Sequence, residues 1–410
     1  MGDGMSGPAA RRDGGAAGPA PSAHAMRVPL VDAHAHTLYR GPVDARLFTQ
    51  AMFLADLPGS GGDAARDERR LERLLDGRLG CALVRLARAY GDDADSGTSS
   101  PADARAYWRT RGGRGYEDRL LRACGVRTWV LDTGAAADVM ETPRGFLARA
   151  AGSRAARVVR LETVAERVLQ AGDDATFPGR FRDALRTESA AGDDGVPVVG
   201  FKSVAAYRTG FAIDWSRPDD AHVVEAVARL DASGRARLAD PTVEAFIVHE
   251  ALRYGLPVQF HVGFGDAEAR VHDVDPTLLE PLVRTGAPIH LLHCAPYERQ
   301  AAWMCATHPN VVMDLSLAVM HAGVQGARAL LERALQWCPF GQLLYASDGF
   351  GVAETHALGA LIWRRAVGAL ADDWTAQGVW DAAQASRVID ALAHGNAERL
   401  YRLACPQPRG

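Results

Sequence analysis

From residue 28 onward, short runs rich in Val, Leu, Ile and Phe alternate with longer stretches whose apolar residues recur at helical spacing. Eight such runs predict strands at 28–33, 128–132, 157–161, 197–202, 257–261, 288–293, 311–315 and 342–347. Amphipathic segments such as 241–254 and 322–337 separate them. Tyr254-Gly255-Leu256-Pro257 marks one junction, because glycine tolerates the left-handed end of a helix and proline cannot continue it. Eight strand–helix units in one series predict an α/β fold of the (β/α)8 TIM-barrel type, with an open doubly wound sheet as the alternative. The stretch 45–122 is too long for one crossover and predicts a helical insertion after strand one, looped at 91–103. A helical stretch over 354–403 would close the barrel. Residues 1–25, rich in Gly, Ala, Pro and Ser, predict a disordered tail, and 26–410 a single domain.

Composition narrows the partners. A formal charge of −4 leaves no basic field for nucleic acid or an anionic membrane, and no apolar run reaches the ~18 residues needed to span one. The six cysteines form no Cys-x-x-Cys and no dense framework, which fits free thiols and a cytoplasmic location. Of the 46 Lys and Arg residues only Lys202 is a lysine. Where a surface charge is enough, arginine serves. Lysine differs in that it can lose its proton, act as a nucleophile or be carboxylated, so Lys202 is singled out as a chemical group.

The candidate chemistry collects at strand ends, where a TIM barrel places its active site. Strand one runs into Asp32-Ala33-His34-Ala35-His36, strand four ends at Lys202, strand five at His261, strand six at His293, and strand eight runs into Asp348. Residues at i and i+2 of a strand share a face, so His34 and His36 can both turn to the barrel axis. By the same alternation His290 is expected to pack outward and Cys294 to be a buried, inert thiol. Tyr207, Arg208, Asp266 and Tyr297 follow these strand ends in loops and are candidates for substrate contact. Arg160 and Glu162 close strand three, either paired with each other or with one touching substrate. Glu354 and His356 begin a helix, where an acidic side chain is ordinary.

The ordered set of His-x-His after strand one, His after strands five and six, and Asp after strand eight resembles the metal-dependent amidohydrolase superfamily. The stretches around Phe201-Lys202-Ser203, Phe260-His261-Val262, Leu292-His293-Cys294 and Ser347-Asp348-Gly349 are similar to its group that includes nodulin-like and FluG-type N-terminal domains. The resemblance implies that His34, His36 and His261 bind a divalent metal and that Asp348 completes the shell or takes a proton from water. It implies further that His293 polarises the substrate or acts as a second base. Zinc is the first expectation for such ligands, with manganese and iron as alternatives. Zinc lowers the pKa of bound water from about 15.7 to about 7, so a neighbouring carboxylate can collect the proton. Lys202 is either a bare amine facing a substrate carboxylate or a carboxylated bridge between two ions, one held by His34 and His36 and the other by His261 and His293.

These readings converge on a metal-dependent hydrolase of an amide or amidine C–N bond, γ-glutamyl bonds included, in a small carboxylate-bearing substrate. The multidomain relatives join this domain to a glutamine-synthetase-like ligase, which is the reason for the γ-glutamyl expectation. The alternatives are a decarboxylase on the same barrel and a silent ligand-binding barrel. The partner expected is a small molecule, with a homo-oligomer left open.

Overall fold

The computed structural model describes residues 20–53, 64–91, 102–190 and 195–403. Seven parallel strands run in sequence order: β1 (Leu30–Ala35), β2 (Val126–Asp132), β3 (Arg154–Arg160), β4 (Val198–Ser203), β5 (Val258–His261), β6 (Ile289–Leu292) and β7 (Val311–Met313). The expected eighth strand is not a regular one. Residues 342–348 nevertheless bond on both sides: Met313 N–H donates to Gln342 O at 2.9 Å, and Ala33 N–H donates to Tyr345 O at 3.1 Å. That segment therefore stands in the eighth strand position and makes the sheet a nearly closed (β/α)8 barrel.

Two apolar cores follow from the strand alternation. Val31, Ala33, Val130, Ala156, Val158, Val312, Leu344 and Ala346 fill the barrel interior, where Ala397 and Tyr401 of the chain's last helical segment join them. Gly200 lets β4 pass close to the start of the next strand, since a Cβ there would lie 2.7 Å from Pro257 O. A larger core lies between the strands and the surrounding helices.

The insertion expected at 45–122 is helical: α2 (Ala45–Phe53), α3 (Ala64–Leu75), α4 (Arg78–Tyr90), α5 (Ala104–Thr110) and α6 (Arg114–Ala123) follow a short α1 (Pro21–Ala25). Residues 92–101, the centre of the expected loop, lie outside the described residues, as do 1–19. The insertion buries Phe48, Leu71, Leu83, Tyr107 and Leu120 in the outer core. It is pinned by Glu354 at the start of helix Ala353–Ala376, a fully buried carboxylate bonded to Tyr107 Oη at 2.5 Å and to the Arg111 guanidinium. Glu354 is thus a docking point for the insertion, more than an ordinary helix-start acid.

The tail expectation needs correcting at its end. Residues 21–25 form α1, with proline at the first helical position, where its missing N–H costs nothing. Ser22 N–H donates to Asp372 at 3.0 Å, and Arg364 donates to Ala25 O at 2.8 Å, so this helix is part of the folded domain. Among the described residues no helix is long and apolar enough to cross a membrane.

Candidate active site

The His-x-His pair faces the axis by a different route from simple alternation. β1 continues through residue 35, and Val31 and Ala33 already point inward, so His34 should point outward. A bulge prevents this: Asp32 pairs with Trp129 but Ala35 with Leu131, an extra residue on β1 that resets the facing of the strand's last residues. His34 then turns inward, with its Nδ1 2.8 Å from Gln259 Oε1, while His36 Nδ1 lies 3.0 Å from Asp132 O. Both rings present Nε2 to Asp348 Oδ1, at 3.3 Å for His34 and 3.5 Å for His36.

His293 reaches the same place by a similar break. It follows β6 in the left-handed region, at φ 68°, and Cys294 follows at 57°. His290 accordingly does not pack outward. It is fully buried, facing inward below the site, with Nδ1 2.6 Å from Tyr401 Oη and Nε2 2.9 Å from Asp314 Oδ2. Cys294 is buried as expected. Asp348 also sits at positive φ, 53°, and Gly349 beside it leaves no room for a Cβ, which would fall 2.2 Å from His356 Nδ1.

A cavity of about 500 Å³ opens above these groups. His34, His36, His261, His293, Asp348, Lys202, Arg160, Tyr207, Arg208 and Asp266 all line it. Tyr297 does not; its hydroxyl donates to Val271 O at 2.6 Å, away from the cavity. Arg160 and Glu162 do not pair with each other. Arg160 binds Asp132 Oδ2 at 2.6 Å, and Glu162 instead accepts from Ser203 Oγ at 2.8 Å and Val204 N–H at 2.7 Å, because Arg160 ends β3 beside Asp132 of β2 while Glu162 already lies in the next helix, against the end of β4. Arg208 is held by Glu166 at 3.1 Å at the cavity wall. His261 lies with its ring 4.4 Å from that of His293, and its Nε2 is 3.1 Å from Tyr207 Oη. Gly265 permits that closeness, since a Cβ there would fall 2.1 Å from Tyr207 Oη.

The electrostatics arise from burial. Burial pushes the Asp348 carboxyl up, but His293, His34 and His36 together outweigh it and hold it well below the usual carboxylate range. Burial lowers His34 and takes His261 well below the ordinary histidine value; it brings His293 to about 4 against the pull of Asp348. Lys202, 2% exposed, is pushed down to about 8 by burial, with Asp132 pulling it back. Its Nζ has no hydrogen-bond partner among the described residues.

Two groups of ligand atoms lie close enough to share an ion: His34, His293 and Asp348, and His34, His36 and Asp132. Asp132 is already committed, Oδ2 to Arg160 and Oδ1 to Gly134 N–H at 2.9 Å, so Asp348 is the freer carboxylate. The donor set fits a divalent metal. His34 and His36 are each held at Nδ1, with Nε2 turned toward Asp348, the orientation that imidazole ligands to a metal take.

The amidohydrolase family model matches residues 31–403. The chain belongs to that family. It is 26% identical to the FluG protein of Emericella nidulans over 92% of this chain and 46% of that protein, so it spans about half the length of this curated relative. It is also 26% identical to a Lactobacillus casei ATCC 334 protein provisionally named a metal-dependent hydrolase. That crystal structure matches with a TM-score of 0.75 over 93% of this chain and 97% of the other. A glucuronate isomerase from Caulobacter crescentus shares the fold at 15% identity, with a TM-score of 0.59 over 95% of this chain and 94% of the other.

Several members of this amidohydrolase site escaped the sequence reading. Asp132 sits at the end of β2, where the strand-end rule could have found it. Gln259, two residues before His261, was legible as a neighbour on the same strand face, though not as the partner of His34. Tyr401, near the end of the chain, gave no local signal.

Proposed function

We propose that this chain is a metal-dependent hydrolase that cleaves an amide or amidine C–N bond, γ-glutamyl bonds among them, in a small carboxylate-bearing substrate. The observation that carries the reading is the convergence of His34 and His36 Nε2 on Asp348 beside Lys202, a buried cation without a hydrogen-bond partner among the described residues, in one cavity. By the family resemblance His34, His36, His261 and Asp348 would hold the ion, with His293 set close to His34 and Asp348 as a further donor, and zinc comes first by the preference of imidazole and carboxylate donors. When bound, such an ion polarises the scissile carbonyl and acidifies water.

The chain's own groups supply the rest. Asp348, ionised at neutral pH, accepts the proton released by the attacking water. Lys202 meets the substrate carboxylate and thereby gains the partner it lacks, with Arg160 and Arg208 adding positive charge along the same wall. His293 polarises the substrate or serves as a second base. Tyr39, Leu47, Met320 and Phe350 form an apolar wall that suits an uncharged arm of the substrate. The adjacent His261 and His293 rings favour the two-ion arrangement, bridged by a carboxylated Lys202, as the second reading.

The test is to identify the products formed from a panel of N-acyl and γ-glutamyl amino acids. The expected result is release of amine or ammonia that stops on chelation, returns with Zn²⁺, and does not return in His34→Ala. Carbon dioxide as the product would replace the hydrolase reading with decarboxylation. Activity indifferent to chelators and to His34→Ala would remove the metal altogether. Carbon-13 NMR of the folded, metal-loaded protein equilibrated with labelled bicarbonate separates the bare amine from the carboxylated bridge, which would show a carbamate carbon.

A further inference from the structure

A chain of polar side chains crosses the barrel interior from His34 to His293: Gln259 on β5, Tyr401 after helix Asn396–Leu400, His290 on β6, then Asp314 and Ser316 beyond β7. The sense of each bond is set by the members that can act in one way only. The Ala33 carbonyl only accepts, so Gln259 Nε2 must face it, at 3.0 Å. That leaves Gln259 Oε1, an acceptor, 2.8 Å from His34 Nδ1, and the His34 proton belongs on Nδ1. Gln259 Nε2 also donates to Tyr401 Oη at 2.7 Å, and the hydroxyl passes its own proton to His290 Nδ1 at 2.6 Å. His290 then carries its proton on Nε2, which lies 2.9 Å from Asp314 Oδ2.

The far end closes the same way. Asp314 Oδ1 accepts from the backbone N–H of His293 at 2.8 Å, from that of Ser316 at 2.9 Å and from the Ser316 hydroxyl at 2.6 Å. With its proton given to Asp314, Ser316 Oγ can only accept from His293 Nδ1, 2.7 Å away.

We propose that Gln259 and Ser316 are positioning residues that hold the protons of His34 and His293 on Nδ1, leaving Nε2 of each ring unprotonated, with the Ala33 carbonyl fixing the sense of Gln259. A neutral imidazole binds a metal or accepts a proton only through its bare nitrogen, so the chain decides which nitrogen is available before any ligand arrives. It also explains a buried polar layer beneath an otherwise apolar barrel floor, where an unpaired polar group would be destabilising. The proposal deepens the metal-site reading above, and its test needs no activity.

The tautomer of each ring is read from nitrogen-15 chemical shifts and two-bond couplings in metal-free, histidine-labelled protein, assigned by single histidine substitutions. The wild type is expected to show both His34 and His293 protonated at Nδ1. Gln259→Leu is expected to move the His34 proton to Nε2, where Asp348 Oδ1 can accept it, and to leave His293 as it was. Ser316→Ala is expected to disturb His293 and spare His34. Equilibrium dialysis is expected to show Zn²⁺ bound about 10–100-fold more weakly by Gln259→Leu. A merely structural role would lower the unfolding temperature and leave the tautomers unchanged. Nε2-protonated His34 or His293 in the wild type overturns the proposal whether or not the variants fold, as does Gln259→Leu with an unchanged His34 tautomer. Failure of the wild type to bind Zn²⁺ would instead count against the metal reading, with the tautomers still read independently.

Discussion

Lys202 and Arg111 are both cations enclosed by the fold, and they are treated in opposite ways. Arg111 joins the insertion to the barrel and is fully engaged: it donates to both oxygens of Glu354 and, at 2.6 Å, to Glu117. Arg149 extends the network from Glu117 to Asp118 at 2.8 Å and Glu141 at 3.1 Å. Lys202 sits at the end of β4 with no hydrogen-bond partner among the described residues, facing a cavity. A satisfied network rigidifies a fold, whereas a buried charge left without a bond is tolerated only where something else requires it. The difference separates the part of this chain that holds the insertion down from the part that faces the cavity at the strand ends.

The sharpest way to break that comparison is Lys202→Met. Losing a positioned charge is expected to lower kcat/KM by about 10²–10³-fold, while thermal unfolding stays level or moves up, because an unbonded buried cation has been replaced by an apolar chain of similar size. Lys202→Arg is expected to lose activity with the fold kept, since the guanidinium cannot occupy the same space or lose its proton. Either variant at wild-type activity would return Lys202 to a structural role.

Arg111→Met should behave in reverse. It strands the Glu354 carboxylate and is expected to cost about 3–5 kcal/mol in urea unfolding, the range for breaking a buried pair from one side. A loss under 1 kcal/mol, about the worth of an exposed pair, would show that the network contributes little.

Acid sharpens the same contrast. Burial pushes the Glu117 carboxyl up, but Arg111 and Arg149 outweigh it and hold it below the ordinary glutamate value of about 4.3. A carboxylate depressed in the folded state contributes stability that is present above its unfolded pKa and is lost as pH falls through the folded one. The unfolding midpoint is therefore expected to drop on acidification, with Glu117→Gln flattening that part of the profile; an unchanged profile in Glu117→Gln would assign the acid loss elsewhere. Tyr107→Phe is the smallest expected effect, about 1 kcal/mol, because Arg111 still satisfies Glu354 when the hydroxyl is removed.

Much of this molecule was readable from residue order. The seven regular strands lie where the apolar runs predict them, with ends shifted by a few residues, and the insertion is helical across its described parts. Lys202, His261, His293 and Asp348 do meet at one cavity, because a parallel barrel gathers all its strand ends at one face. Alternation failed where the backbone leaves the regular strand. His290 and His293 both turn inward because the left-handed backbone at 293 breaks the alternation that would have put them on opposite faces, and Tyr297 turns away in the loop beyond. The Arg160–Glu162 pair failed because Asp132, distant in sequence, was the nearer acid.

The periodicity of apolar positions and the order of strand-end histidines by themselves determined the barrel, the amidohydrolase resemblance and the candidacy of Lys202, since each depends on local pattern and spacing. Only the tertiary structure decided that a β1 bulge turns His34 inward, that Glu354 clamps the insertion, and that Tyr401 reaches beneath the site from the far end of the chain. Those features are contacts between residues far apart along the chain, and their geometry exists only once the barrel has closed.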